Sequence, residues 1–206
     1  MHAAQIARSL EGYAQVLREA TEAVDRAGIP HLVFGSIATR ALGRPRPIST
    51  DEDIDLFVRP PDAPGALRAL ADAGFVTVEE DPTWIHKAKR GGVTVDVIFK
   101  AAGRVYMDDE MFERGVPTAV MGVDVRMIPA EDLAVMKALI HDEDRAFDWF
   151  DAVSLLDQPG VDWDYLIRRA EAFGAQRVLS LMIFAETQGV AVPATAIARL
   201  RDTAQN

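Results

Sequence analysis

Apolar positions Ile6, Leu10, Tyr13, Leu17, Ala20 and Val24 recur at alternating steps of four and three, which predicts one long amphipathic helix over 3–27. Gly28 and Pro30 end it. A short apolar run, HLVF at 31–34, then turns at Gly35-Ser36 into a second helical stretch, SIATRAL, which Gly43 and Pro45 stop. In DIDLFV, 53–58, strict alternation predicts a strand with Asp53, Asp55 and Phe57 on one face and Ile54, Leu56 and Val58 on the other. Behind Pro60, Pro61 and Pro64 the spacing predicts a helix over 63–73, then strands over 75–79, 83–89 and 93–99. Gly91-Gly92 reads as the turn of a hairpin between the last two. A short helix over 107–114 and strands over 116–121 and 123–128 follow. From Pro129 onward only helical patterns remain, over 130–141, 144–157, 162–173, 175–188 and 193–204. Mixed α/β thus gives way to all-α, which places a domain boundary between 1–128 and 129–206.

The totals narrow the field only a little. The chain of 206 residues is 49% hydrophobic and 26% charged, as an ordinary soluble protein is. No run approaches the roughly 18 apolar residues of a membrane span, and the N-terminus lacks a signal-peptide layout. Without cysteine there are no disulfides or thiolate ligands, so a cytoplasmic protein with no membrane partner is expected. A formal net charge of −10 argues against non-specific nucleic-acid binding.

One stretch asks for a chemical explanation. Asp51, Glu52, Asp53 and Asp55 crowd together at the mouth of an apolar strand, where like charges repel unless a cation is present. Asp53 and Asp55 lie roughly 7 Å apart on one strand face, a spacing suited to gripping a hard divalent ion. Asp96, set in the apolar strand GVTVDVIF, supplies a third carboxylate, with a structural salt bridge as the equal alternative. At Gly35-Ser36, a strand running straight into a helix offers free N–H groups to an anion; the alternative is that Ser36 caps the helix. Lys137 shares a helical face with Leu133, Met136 and Ile140, so it either snorkels to solvent or points at an anion. Asp148 and Asp151, one turn apart on the next helix, either steady Lys137 or pair with Arg145 and solvent. Arg44 and Arg46 form a surface turn or meet a nucleotide or acceptor. Lys87, Lys89 and Arg90 form a basic cluster, and Trp84, Trp149 and Trp163 read as packing residues. His31, His86 and His141 have no zinc spacing.

Taken together, GSIATRALGRPRPISTDEDIDLFV and VDVIF resemble the signature elements of the nucleotidyltransferase superfamily typified by DNA polymerase beta. IPAEDLAVMKALIHDEDRAFDWFDAVSLL, 128–156, resembles a segment of AbiEii-like bacterial nucleotidyltransferases; the last fifty residues resemble nothing recognised. The resemblance implies an α/β (α+β) fold, a small mixed β-sheet flanked by helices, followed by a C-terminal helical bundle. It implies NTP as substrate with Mg2+, two ions, held by Asp53, Asp55 and Asp96. The loop 37–52 is longer than in minimal members, which leaves Asp51 open as a substitute for Asp53. Gly35, Ser36, Thr39, Arg46 and Lys137 would contact the nucleotide, with Lys137 also catalytic, and Asp148 and Asp151 would support or meet the acceptor. The expected reaction moves an NMP onto a hydroxyl and releases pyrophosphate. Its acceptor stays open between tRNA or protein (a toxin of AbiEii type), an antibiotic such as an aminoglycoside or lincosamide, and none at all (a nucleotide-binding or antitoxin module). An antitoxin or a second copy of the chain are the partners considered.

Overall fold

The computed structural model describes residues 9–44, 46–140, 145 and 147–205. They fall into two compact units. The first comprises residues up to Ala38, Pro47–Ala101 and Tyr106–Ile128; the second comprises Thr39–Arg46, Ala102–Val105 and Pro129 onward.

The first unit is built on a seven-stranded mixed sheet in the order β3-β4-β5-β2-β1-β7-β6. Its strands are β1 (His31–Val33), β2 (Ile54–Val58), β3 (Val76–Asp81), β4 (Ile85–Arg90), β5 (Val93–Ile98), β6 (Val116–Val120) and β7 (Val123–Met127). β2 pairs in parallel with β5 and β1 with β7; the other neighbours are antiparallel. Helices α1 (Leu10–Arg26), α3 (Ala63–Asp72) and the short α4 (Asp109–Glu113) belong to this unit, while α2 (Gly35–Leu42) starts in it. Ser9 caps α1 by accepting from the Gly12 N–H. Tyr13, Leu17, Ala20 and Val24 are fully buried, as the stripe requires, but Leu10 in the first turn is exposed and Ile6 lies outside the described residues.

Register explains how one sheet serves two purposes. Val33, Leu56, Val97 and His86 stand in line across β1, β2, β5 and β4, and all are buried. Arg90, on the same face of β4, reaches Glu19 on α1 and the Ala73 carbonyl after α3, so the helices cover this side. The opposite face carries Asp55, Asp96, Lys87 and Val78 in line across β2, β5, β4 and β3. On edge strand β3 that face is open, with Val76 71% and Val78 51% exposed. Between β4 and β5 the Gly91-Gly92 turn has φ of 57° and 83°, the doubly left-handed geometry that a tight hairpin needs and glycine adopts without strain.

The second unit holds α5 (Ala130–Ala138), α6 (Phe147–Leu156), α7 (Trp163–Phe173), α8 (Ala175–Thr187) and α9 (Ala194–Gln205), joined by the end of α2. α5 is its axle: every residue from Asp132 to Ala138 is buried. Its polar members are satisfied by neighbours. Asp132 accepts from the Tyr165 hydroxyl at 2.6 Å and from Arg169 Nε at 2.5 Å, and Glu131 accepts from the Asp162 N–H at 2.8 Å. Arg177 closes the other end by donating to the carbonyls of Ala138 and Ile140 at 2.9 and 2.8 Å. The segment expected to run as helix to 141 therefore stops at Ala138. Among the described residues no helix is long and apolar enough to cross a membrane.

Candidate active site

Two of the sequence-predicted carboxylates, Asp55 and Asp96, stand side by side on the sheet face turned away from α1 and α3, and Asp53 lies just ahead of β2. Asp55 on β2 stands in register with Asp96 on the parallel neighbour β5, and Asp96 stands in register with Lys87 on β4. Lys87 donates from Nζ to both Asp96 oxygens, at 3.0 and 3.1 Å, and lies 3.9 Å from Asp53 Oδ2. Asp53 itself precedes the first residue of β2; its carbonyl accepts from the buried Tyr13 hydroxyl at 3.4 Å, which fastens the strand mouth to α1. Asp51 is exposed in the turn before it, and Asp53 reaches toward the Lys87 ammonium.

Gly35 and Ser36 abut this row. The Phe34 N–H donates to the Asp55 carbonyl at 3.1 Å, and Gly35 follows with φ of +64°, opening α2. A Cβ at Gly35 would overlap Asp55 Oδ2, so only glycine allows the backbone so near that carboxylate. Ser36 lies inside the first turn of α2 and does not cap it: its Oγ is buried and has no hydrogen-bond partner in the structure. A native protein seldom leaves such a group unmatched unless something else binds there.

Charge and burial pull against each other at the pair. For Asp96, burial pushes the carboxyl pKa up, the Lys87 hydrogen bond and charge pull it back only in part, and Asp53 and Glu80 add to the rise. For Lys87, burial works downward, but the hydrogen bond and charge of Asp96, with Asp53 and Glu80 behind, prevail and hold its pKa above the ordinary value. The two partners respond differently because Asp96 is 9% exposed in its side chain and Lys87 25%.

The remaining predicted residues gather in the second unit. Lys137 is 8% exposed in its side chain and donates to Asp148 Oδ1 at 2.6 Å and Asp151 Oδ2 at 3.1 Å. Asp148 also meets Arg145 Nε at 2.8 Å, and Asp151 meets Arg46. Arg44 donates to Asp157 at 2.7 Å, so Arg44 and Arg46 are held by carboxylates on α6 and on the residue just after it. Thr39 is 1% exposed on α2, and its carbonyl accepts from the Gly43 N–H at 3.0 Å.

Two sequence expectations change. The basic cluster on the β4–β5 hairpin does not form a patch: Lys87 faces Asp96, Arg90 reaches Glu19 on the other face at 2.9 Å, and only Lys89 is exposed. Alternation along the strand splits the cluster between two faces. Trp84 is 39% exposed rather than packed, its indole N–H donating to Asp81 at 3.0 Å. His86 is buried with its ring 4.9 Å from that of Phe99; His141 lies outside the described residues. Sequence reasoning named Lys87 only as one of the basic cluster, not as the partner of Asp96. Its signal was present: counting outward from a two-residue turn, Arg90 faces Val93, and three steps further Lys87 faces Asp96.

The donor set suits a hard divalent cation. Carboxylate oxygens of Asp53 and Asp96 already converge on one positive charge, Asp55 lies in register beside them, and an unmatched hydroxyl stands at the adjoining helix start. Among the described residues, no three Asp, Glu or His side chains are grouped closely enough as they stand to hold a metal ion. An ammonium stands between two of the candidates instead.

A solved structure shares this fold. An antigenic nucleotidyltransferase-like protein from Paracoccidioides brasiliensis is 16% identical over 93% of this chain and 92% of its own, with a TM-score of 0.52, a likeness of fold. JHP933 from Helicobacter pylori is 15% identical over 95% and 90% of the two chains, with a TM-score of 0.49. ANT(2")-Ia in complex with adenylyl-2"-tobramycin is 20% identical over 84% and 97%, with a TM-score of 0.46. No curated protein matches the sequence. The decisive comparison is with a family model described as "Uncharacterised nucleotidyltransferase", which matches residues 2–185: the chain belongs to that family and is a nucleotidyltransferase.

Proposed function

We propose that the protein transfers an NMP from a magnesium-bound NTP to a hydroxyl acceptor and releases pyrophosphate, with the chemistry on the sheet face of the first unit that carries Asp55 and Asp96. The observation that carries this reading is the register of Asp55 with Asp96 beside a glycine that only its missing Cβ lets approach. Asp53, Asp55 and Asp96 would hold the divalent ions, which supply Lewis-acid polarisation of phosphoryl oxygens. Gly35 and Ser36 would take the phosphates, the Ser36 hydroxyl being the unmatched donor. Asp96 would draw the proton from the acceptor hydroxyl, and burial raises its proton affinity in the direction a general base needs. Lys137, with Thr39 and Arg46, is proposed to meet the nucleotide, Asp148 and Asp151 fixing where the ammonium sits.

The test is turnover of each α-labelled NTP with and without magnesium, followed by mass spectrometry of modified tRNA, protein and small molecules. Asp55→Asn and Asp96→Asn are expected to lower transfer at least about a hundredfold, the upper end of what losing even an outer-shell partner costs. Wild-type rates in both variants would refute the site. The resemblance of 128–156 to AbiEii-like enzymes favours a toxin-like activity on tRNA or protein, which growth arrest on expression would support. A net charge of −10 favours a second reading, a cationic antibiotic as acceptor, which raised drug tolerance would support. NTP binding without product would instead identify a non-catalytic module.

A further inference from the structure

We propose that Lys87 is a built-in counter-cation of the acidic row, and that a divalent ion binds by displacing it. The inference rests on the reading of Asp53 and Asp96 as ion ligands, and goes beyond it in assigning Lys87 a role. Three carboxylate oxygens from these two residues lie within 3.0–3.9 Å of one ammonium. Asp55 adds a further carboxylate in register with Asp96, an arrangement that destabilises a sheet when left uncompensated. The compensation therefore comes from the protein itself before any ion arrives. Exclusion follows from charge: an ion touching the same oxygens would sit against the ammonium, and the two cations repel.

Lys87 is also able to leave. Its head is carried on a flexible four-carbon stem, a quarter of its side chain is exposed, and beyond it the face opens at the exposed Val78 of the edge strand. A purely structural ion pair would stay closed in the presence of a divalent ion. A displaced counter-cation would not. In consequence the nucleotide-free protein holds divalent ions more weakly than its carboxylates alone would allow.

Mn2+ titration of the full-length, nucleotide-free protein by electron paramagnetic resonance tests this directly. Lys87→Met, which keeps the apolar stem, is expected to bind Mn2+ about tenfold more tightly than wild type or more, removal of one like charge at contact range. Lys89→Met, on the exposed neighbouring position, is expected to leave binding unchanged. Equal or weaker binding by Lys87→Met, while Asp96→Asn abolishes binding in the wild-type background, overturns the counter-cation and leaves the ligand reading intact. Binding that Asp96→Asn does not affect in any variant overturns both. A second readout needs no variant. Acetylation of Lys87 relative to Lys89 is expected to rise when Mn2+ binds the wild-type protein, and unchanged labelling at saturating Mn2+ overturns the displacement.

Discussion

At Asp96, burial and pairing oppose each other within a single side chain, and the sign of the balance can be measured. Because burial dominates, the folded protein holds the Asp96 proton more tightly than the unfolded chain, whose ordinary value is 3.8. Ionising it therefore costs stability as pH rises from that value through the raised one. Asp96→Asn removes the cost, so its Tm relative to wild type is expected to improve from about pH 4 to about pH 7, read by differential scanning fluorimetry. A flat difference would mean that Lys87 fully offsets burial. The partner carries the same sign in a higher pH window: stability from the Lys87 ammonium is complete below its ordinary 10.5 and is lost as pH climbs through its raised pKa. Gly35 makes a different point at the same scale. There the determinant is an absent atom, since any Cβ would overlap the Asp55 carboxylate.

Among elements, α5, buried from Asp132 onward, is tied to its surroundings through charge. Lys137 shares Asp148 and Asp151 with Arg145 and Arg46, so losing the lysine leaves each acid a cationic partner. Lys137→Met is accordingly expected to cost less than the ~3–5 kcal/mol typical of breaking an isolated buried pair. Urea denaturation would measure it, and a cost at the top of that range would mean that the arginines contribute nothing. The element order was legible in the sequence because the β2 segment alternates, turn residues bound the other strands, and the helices repeat at three and four. The Gly91-Gly92 turn was legible too, since glycine suits both left-handed positions. What could not be read was the parallel pairing of β2 with β5, the step that lines up Asp55 with Asp96, because such strands lie far apart along the chain. Nor did the EDL motif announce that Glu131 and Asp132 would bind α7 and the residue just before it rather than a ligand. Sequence spacing gives the acids, not their partners.

For the molecule as a whole, a net charge of −10 opposes compaction, and salt should relieve it. NaCl is expected to raise Tm alike in wild type and in Asp55→Asn/Asp96→Asn, since at about 0.1 M the screening length is already near 10 Å. Magnesium at matched ionic strength is expected to add a further rise in wild type alone, as specific binding to the folded state would. An equal rise in the double variant would reduce the effect to screening. The β4–β5 turn has reach beyond its own two residues. One residue inserted or deleted there would turn β5 over, driving Asp96 in among Leu56 and its buried neighbours and thrusting a valine outward. Such a lesion would surface as protein missing from the soluble fraction, and a screen scoring only turnover would mistake a misassembled sheet for a damaged catalyst.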